Sequence, residues 1–569
     1  MMSEFQVSGT NKAALFTLKI HRGDGMALIA MDWKAAKPPL DFVGFAIEYK
    51  EPQGTYFFPL NNRIAFPNPD GSVNPKKLST LQSPIQKFRW VHFPRNANLD
   101  GEFIYRVKPV FMNEEDGLSY GEPQQAAIQL RRETYPGQLN VTFTRGFVSS
   151  QAFVDRYEKE GSFNTLIPGK AKDGLKFKHT HPRAKEALAW MGFEAREAIL
   201  ETLDQAIEAK AEVRVVAYDL SEPEFVKRLE KIGRRLKIII DDSKEHKPTA
   251  AAESQAAKRL TKSAGAGNVK RQHMGALQHN KMIVVDGNKI QKVVCGSTNF
   301  SWRGFYVQSN NAVILEGKSA VGLFQQAFDS YWNDEDDFGN TPSAAKWANL
   351  GLSSINARVT FSPHSSSNTV LEQIADDVGE NTTSSLLYSL AFLYQTPGVI
   401  QDAIKKVSKQ SDIFVYGISD KKVGGLALQK PDGNVSPVYP AALEKNLPAP
   451  FSKEPKGGGG NRMHHKFIVV DFDKPSARVY FGSYNFSIPA DRKNGENLVL
   501  VRDRRIAVSY MIEALRIFDH YHFRIAQQEA KKKRTKLQLK KPPRKKSERP
   551  WWEDDYRDAR KIRDRQLFS

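Results

Sequence analysis

The sequence predicts an α/β protein: a duplicated domain of mainly parallel sheets with flanking helices, preceded by an all-β sandwich. Three observations carry that expectation. Residues 12–131 consist of short β-prone runs broken by Gly, Pro and Asn. From Gly137 onward, strand-length apolar runs alternate with helix-length stretches, the pattern of βαβ units. Four landmarks then occur twice in the same order: VTFT (141–144) and VTFS (359–362), HNKMIVVD (279–286) and HHKFIVVD (464–471), GSTNFS (296–301) and GSYNFS (482–487), AFDSYW (327–332) and IFDHYH (517–522). The last three pairs lie about 185 to 190 residues apart. The first is offset because the first copy carries extra polar residues within 156–185.

In the N-terminal region the expected strands are 26–33, 42–50, 87–93, 102–111 and 124–130. Trp33, Tyr105 within FIYRVKPVF, and the LSYGEP turn resemble a fibronectin type III domain; both aromatics read as core packing. The repeats follow as 137–334 and 357–525. EVRVVAYDL (212–220) is a strand, EFVKRLEKIGRRL (224–236) a helix and KIIID (237–241) a strand; GVIQDAIKKVSKQ (398–410) and DIFVYGISD (412–420) repeat the helix–strand order. Residues 243–272 and 437–462, the latter with four consecutive glycines, read as mobile loops ahead of each His motif. Residues 530–569 are a basic arm and a helix-prone end. The stretch 531–549 holds 11 basic residues and one acidic one, and Trp551 and Trp552 follow as a docking point for the body or a partner.

Length and composition bound the function. The chain of 569 residues has room for three or four globular units, and its 40% hydrophobic content excludes a wholly disordered chain. No run approaches the ~20 apolar residues of a membrane span, and the N-terminus has no secretory pattern, so a cytoplasmic protein without integral membrane association is expected. The single Cys295 excludes an intrachain disulfide framework and reads as a small core residue. A formal charge of +20 points to a polyanionic partner.

Chemistry concentrates in the repeated motifs. His279, Lys281 and Asp286 are followed by Ser297 and Asn299; His464, Lys466 and Asp471 by Ser483 and Asn485. Residues two apart on a strand share a face, so each His–Lys pair points one way, and an apolar run buries each strand behind it. Buried cations are costly unless an anion meets them. Two such sets facing one another supply the donors and cations of a phosphate site. His465 points to the opposite face, and Phe300, Phe486, Tyr331 and Trp332 read as packing.

These paired HxKxxxxD and GSxN motifs resemble the phospholipase D superfamily over roughly residues 137–525, and the fold so implied is a duplicated phospholipase D-like sandwich. The resemblance implies a phosphodiesterase that works through a covalent phosphohistidine, with His279 the preferred nucleophile, His464 the acid, and Lys281 and Lys466 neutralising the phosphoryl oxygens. Family members often place a carboxylate 11 residues after the motif Asn to orient a catalytic His. Glu496 stands there in the second repeat, and Asn310 in the first, where an amide cannot stabilise imidazolium by charge. The repeats show no dense carboxylate cluster for a two-metal site, so neither metal nor cofactor is expected. Phe-Ser after each GSxN resembles the nuclease branch, making nucleic acid, DNA ahead of RNA, the expected partner. A phospholipase-type lipid hydrolase and an inactive nucleic-acid-binding or scaffold protein are the alternatives. The sandwich or the C-terminal segment is the candidate dock for a protein partner such as an ATPase or helicase.

Overall fold

The computed structural model describes residues 4–68, 78–94, 96–97, 99–130, 133–146, 156–157, 159–393, 397–419, 463–535 and 537–569. They fall into two compact units: one from Met1–Arg132 and Val508–Ser569, the other from Glu133–Ala427 and Pro437–Ala507.

The first unit is built on strands β1 (Gln6–Ser8), β2 (Phe16–Arg22), β3 (Ala27–Trp33), β4 (Phe42–Lys50), β5 (Phe58–Pro59), β6 (Arg89–His92), β7 (Glu102–Met112), β8 (Leu118–Tyr120) and β9 (Gln124–Gln129). One antiparallel sheet has the order β1-β2-β3-β6; the other runs β5-β4-β7-β8, with β9 also on β7. Alternation in β7, where Phe103, Tyr105 and Val107 are buried between more exposed neighbours, sends one face into the shared core. Trp33 and Tyr105 lie in that core.

The C-terminal segment belongs to this unit. The division between compact units falls at Val508, inside the helix Arg504–Lys532. Within the first unit Arg89 pairs with Asp519 at 2.7 Å, and Arg63 stacks over Phe523. The basic stretch is also no free arm. Leu539 is buried and its N–H donates to the Ala65 carbonyl; Lys540 and Gln86 exchange two hydrogen bonds; Lys541 and Arg544 both reach Asp116. One apolar side chain and one acidic partner suffice to lay down a segment whose charge alone argues for freedom. Beyond it Trp552 is buried in the sandwich core, Trp551 packs on Phe42 and Phe88, and Arg565 pairs with Asp32.

The second unit holds two seven-stranded sheets. The first contains β10 (Leu139–Phe143), β11 (Glu212–Ala217), β12 (Leu236–Asp241), β13 (Val269–Gln272), β14 (Lys281–Gly287), β15 (Ile290–Gly296) and β16 (Asn311–Glu316), ordered β10-β16-β15-β14-β11-β12-β13. The second contains β17 (Ala348–Asn349), β18 (Asn356–Ser362), β19 (Ser385–Leu390), β20 (Phe414–Ile418), β21 (Lys466–Val470), β22 (Arg478–Gly482) and β23 (Glu496–Arg502), ordered β17-β18-β23-β22-β21-β19-β20. The runs β10-β16-β15-β14-β11-β12 and β18-β23-β22-β21-β19-β20 match in order and in the sense of every pairing.

The sheets are not mainly parallel. Among the named strands of these sheets, β11–β12, β12–β13 and β19–β20 pair parallel and the others antiparallel. Each His motif strand leaves through a short hairpin to the GSxN strand, and a hairpin enforces antiparallel pairing. Helices Ala184–Glu208, Pro223–Ile232 and Lys318–Asn333 flank the first sheet, and Leu371–Asn381 and Val399–Ser408 lie between strands of the second. Residues 243–272 are not a loop: Ala252–Ala264 is a helix that buries Ala252, Ala256, Leu260 and Ala264 at four-residue spacing, and β13 adds to the sheet. Residues 437–462 lie outside the described residues. Among the described residues no helix is long and apolar enough to cross a membrane.

Candidate active site

β14 and β21 each begin with the motif lysine, and the histidine stands two residues before it. The two imidazoles face each other with ring centroids 6.4 Å apart, both fully within the second unit. Cross-links between the halves fix this meeting. His464 N–H donates to the Ser309 carbonyl at 3.1 Å, Gly495 N–H to the Leu277 carbonyl at 2.9 Å, and the Asn497 amide to Asn280 Oδ1 at 2.6 Å.

The orienting groups are exchanged between halves. Nδ1 of His279 lies 2.8 and 2.9 Å from the Glu496 carboxylate, at the head of β23. Nδ1 of His464 lies 2.8 Å from Asn310 Oδ1 and 3.2 Å from the Ser297 carbonyl. Each ring is thereby turned so that Nε2 is the nitrogen left for chemistry. Glycine makes this possible at one point in each half: Gly296 (φ 137) and Gly482 (φ 154) approach the Asn311 and Asn497 carbonyls so closely that a Cβ would stand 2.5 and 2.2 Å from them.

Burial and charge set the proton affinities. Burial pushes His279 below its ordinary value, opposed by the Glu496 charge. His464 is driven well below, by burial and then by Lys466, Lys281 and His279. Burial lowers Lys281 to about 8 against the pull of Glu496, Asp219 and Asp241, and takes Lys466 much further down. Lys466 Nζ lies 3.1 Å from His464 Nε2 and donates to the His464 carbonyl at 2.8 Å, while Lys281 Nζ donates to the His279 carbonyl.

Not every expected site residue reaches this pocket. Ser297 and Ser483 support it: Ser297 Oγ donates to Asn310 and accepts from Asn311 N–H, and Ser483 Oγ accepts from Asn497 N–H. Asn299 Nδ2 donates to Asp219 at 2.8 Å, and Asn485 Oδ1 is buried without a partner. Asp286 and Asp471, counted with the catalytic set, stand elsewhere. Each is five residues beyond its lysine, about 16 Å along an extended strand. Asp471 accepts from the N–H groups of Thr383, Ser384 and Ser385 and from Thr383 Oγ1, tying β21 to the start of β19; Asp286 is half-exposed with one 3.4 Å contact from Gln291. His465, Phe300 and Tyr331 pack: His465 on Phe467, Phe300 on Phe225, Tyr331 on Phe338.

Sequence reasoning missed a group beside His279. Asp219, Asp241, His246 and Glu253 lie on separate segments, yet His246 Nδ1 is 2.7 Å from Asp241, and Nε2 is 3.3 Å from Asp219 and 3.9 Å from Glu253. Burial opposes charging of His246, but hydrogen bonds to Asp219 and Asp241 prevail and push it up to about 10. Ligand atoms of Asp219, His246 and Glu253 lie within 4.8 Å of one another, a donor set suited to a divalent cation. The sign in the sequence was the acidic residue closing β11 in YDL; nothing local joins it to His246.

Residues 200–332 and 400–518 match the family model described as cardiolipin synthase, PLD-like domain. Over these two stretches the chain is similar to phospholipase D-like domains. It is 44% identical over 48 residues to a phospholipase D of Rickettsia prowazekii and 42% over 48 residues to that of Rickettsia typhi, in each case 8% of this chain and 22% of the relative. The match thus spans about a fifth of the length of these curated relatives. Similar solved structures include phosphatidylserine synthase of Haemophilus influenzae (15% identity, TM-score 0.40, 59% of this chain and 92% of that one) and the phospholipase D family member Nuc of Salmonella typhimurium (25% identity, TM-score 0.21, 24% and 87%).

Proposed function

We propose that this phospholipase D-like chain is a phosphodiesterase that needs no metal for its chemistry, most consistent with a nuclease acting on DNA and secondarily RNA. The observation that carries the reading is the pair of facing imidazoles 6.4 Å apart, each anchored through Nδ1, with a lysine beside each. A phosphorus atom between them sits within attack distance of one Nε2 while its leaving oxygen meets the other.

The Nε2 lone pair of His279 attacks phosphorus. Glu496 holds the Nδ1 proton and stabilises the charge that develops as the N–P bond forms. The P–O bond breaks, and the leaving oxygen takes a proton from His464 Nε2. Lys466 Nζ, 3.1 Å from that Nε2, is placed to deliver the proton to it. Water then attacks the phosphohistidine, its proton passes to His464, and the P–N bond breaks to restore His279. Lys281, still cationic near neutrality, balances the phosphoryl charge.

Phe-Ser after both GSxN motifs and the formal charge of +20 support nucleic acid as substrate. The family model's description and the relatives' names favour the second reading, a lipid phosphodiesterase. The strand order of the N-terminal sheets supports a fibronectin type III-like domain spanning about residues 12–131, with a recruiting role toward a protein partner; residues 137–334 and 357–525 are then the two phospholipase D-like repeats, and the protein works in the cytoplasm. Labelled single- and double-stranded DNA and RNA, incubated in excess EDTA with wild type and His464→Ala, test the proposal. Cleavage by wild type alone supports it. Release of a lipid headgroup without nucleic-acid cleavage overturns the nuclease reading in favour of the lipid one.

A further inference from the structure

Strand register identifies equivalent positions in the two halves. Ala217 pairs with Lys281 and Leu390 with Lys466, so Asp219 and Phe392, each two residues further on, occupy the same place beside their lysines. In the first half Asp219 Oδ2 accepts from Asn299 Nδ2 at 2.8 Å, and Oδ1 lies 3.3 Å from His246 Nε2. His246 is held from behind by Asp241, which also accepts from the N–H groups of Gln278 and Ser243. The Tyr218 ring fills the space between, 4.6 Å from His246 and 4.7 Å from His279, with Lys281 Nζ 4.7 Å from its centre. In the second half Phe392 lies 6.2 Å from His464 and 5.5 Å from Lys466 Nζ.

We propose that Asp219 is a positioning residue which, braced by the Asp241–His246 pair, aims the Asn299 amide at the bound phosphate and supplies beside Lys281 a negative charge at the position that Phe392 holds in the second half. The proposal rests on the phosphodiesterase reading and adds what makes the half-sites unequal.

An amide nitrogen carries two hydrogens. With one bound to Asp219, the side-chain plane is fixed and the other is free to donate to a phosphoryl oxygen. A carboxylate beside an anion site repels the ligand unless it is compensated, and Lys281 beside it compensates it. Lys281 is faced by Glu496, Asp219 and Asp241, and also by His279, Lys466 and the Tyr218 ring; the three carboxylates keep it protonated up to about 8. At Lys466 burial outweighs the pull of Glu496 and Asp219, and Phe392 stands where Lys281 has Asp219. The first half therefore supplies the standing cation.

The test uses the full chain and bis(4-nitrophenyl) phosphate, a diester that presupposes neither nucleic acid nor lipid. For Asp219→Ala, kcat falls about 30- to 100-fold with KM changed less than about threefold, the cost expected of a misaimed donor. Asp219→Asn keeps an acceptor for Asn299 but loses the charge. It recovers most of kcat at pH 6.5, and the alkaline limb of its pH profile moves about one unit lower. An Asp219→Asn profile identical to wild type, or Asp219→Asn as impaired as Asp219→Ala at every pH, overturns the proposal. Wild type that cleaves this diester but no nucleic acid overturns the nuclease reading and leaves this one standing.

Discussion

The two half-sites share a strand frame and differ in what surrounds their histidines. His279 leans on a carboxylate, Glu496, and stands beside Tyr218 and a braced Asp219; His464 leans on an amide, Asn310, and stands beside Phe392. Two-step phosphoryl transfer needs one nucleophile and one acid at the same moment, and two identical histidines in one pocket would compete for one proton. The matching strand order of the two halves supplies the facing geometry, and on the proposed phosphodiesterase reading the differences at a few positions give the pocket a direction.

The sharpest way to break the comparison is to remove each ring. His279→Ala and His464→Ala should each lower cleavage by about 10³-fold or more, because members of a catalytic unit fail together. Acid-quenched single turnover separates their roles. With a good leaving group, His464→Ala should still form phosphoenzyme and His279→Ala should form none; phosphoenzyme in the latter assigns the nucleophile to His464.

Next come the orienting groups. Glu496→Gln should cost about 10²- to 10⁴-fold in kcat, since an amide can present the wrong group to Nδ1 and supplies no charge. Asn310→Ala, which removes a neutral acceptor, should cost about tenfold. Equal losses would mean that the difference between the two anchors has no chemical consequence.

The strand-end aspartates should separate by stability. Asp471→Ala leaves several buried N–H groups without an acceptor and should destabilise the second unit by about 3 kcal/mol or more. Asp286→Ala should stay within about 0.5 kcal/mol. Thermal unfolding measures both.

The smallest effect is on pH dependence. If cationic Lys281 is needed, kcat/KM falls as pH rises through about 8, where that proton leaves. On the acid side His279 must be neutral to attack. Its proton affinity lies below the ordinary histidine value, so activity should persist below pH 6.5 before it drops. An alkaline limb near 10 would remove Lys281 from the set of groups that matter.

Much of the site was legible because its chemistry is written locally. His-x-Lys places two groups near one strand end, GSxN places a hydroxyl and an amide two residues apart, and repetition of both implies two facing copies. Glu496 and Asn310 were legible as orienting groups, but not their exchange between halves, which follows from Asn280–Asn497 and the other cross-links of the seam. Asp286 and Asp471 were grouped with the site because they close the motif, yet an extended strand carries them away from it. The Asp219–Asp241–His246 group was invisible because its members are joined only by the sheet and the chain that crosses it.

Regular structure shows the same division. The sequence by itself determined where many of the strands and helices form, through apolar periodicity, though not the helix Ala252–Ala264, and which short segments carry cations and amides. Tertiary structure alone decided strand sense, the laying down of residues 537–569 along the β-sandwich, and the proton affinities of the site. Those depend on hairpin closure, on single long-range partners such as Leu539 and Asp116, and on how fully each charge is removed from water. Periodicity is a property of neighbours in the chain; burial and pairing are properties of neighbours in space.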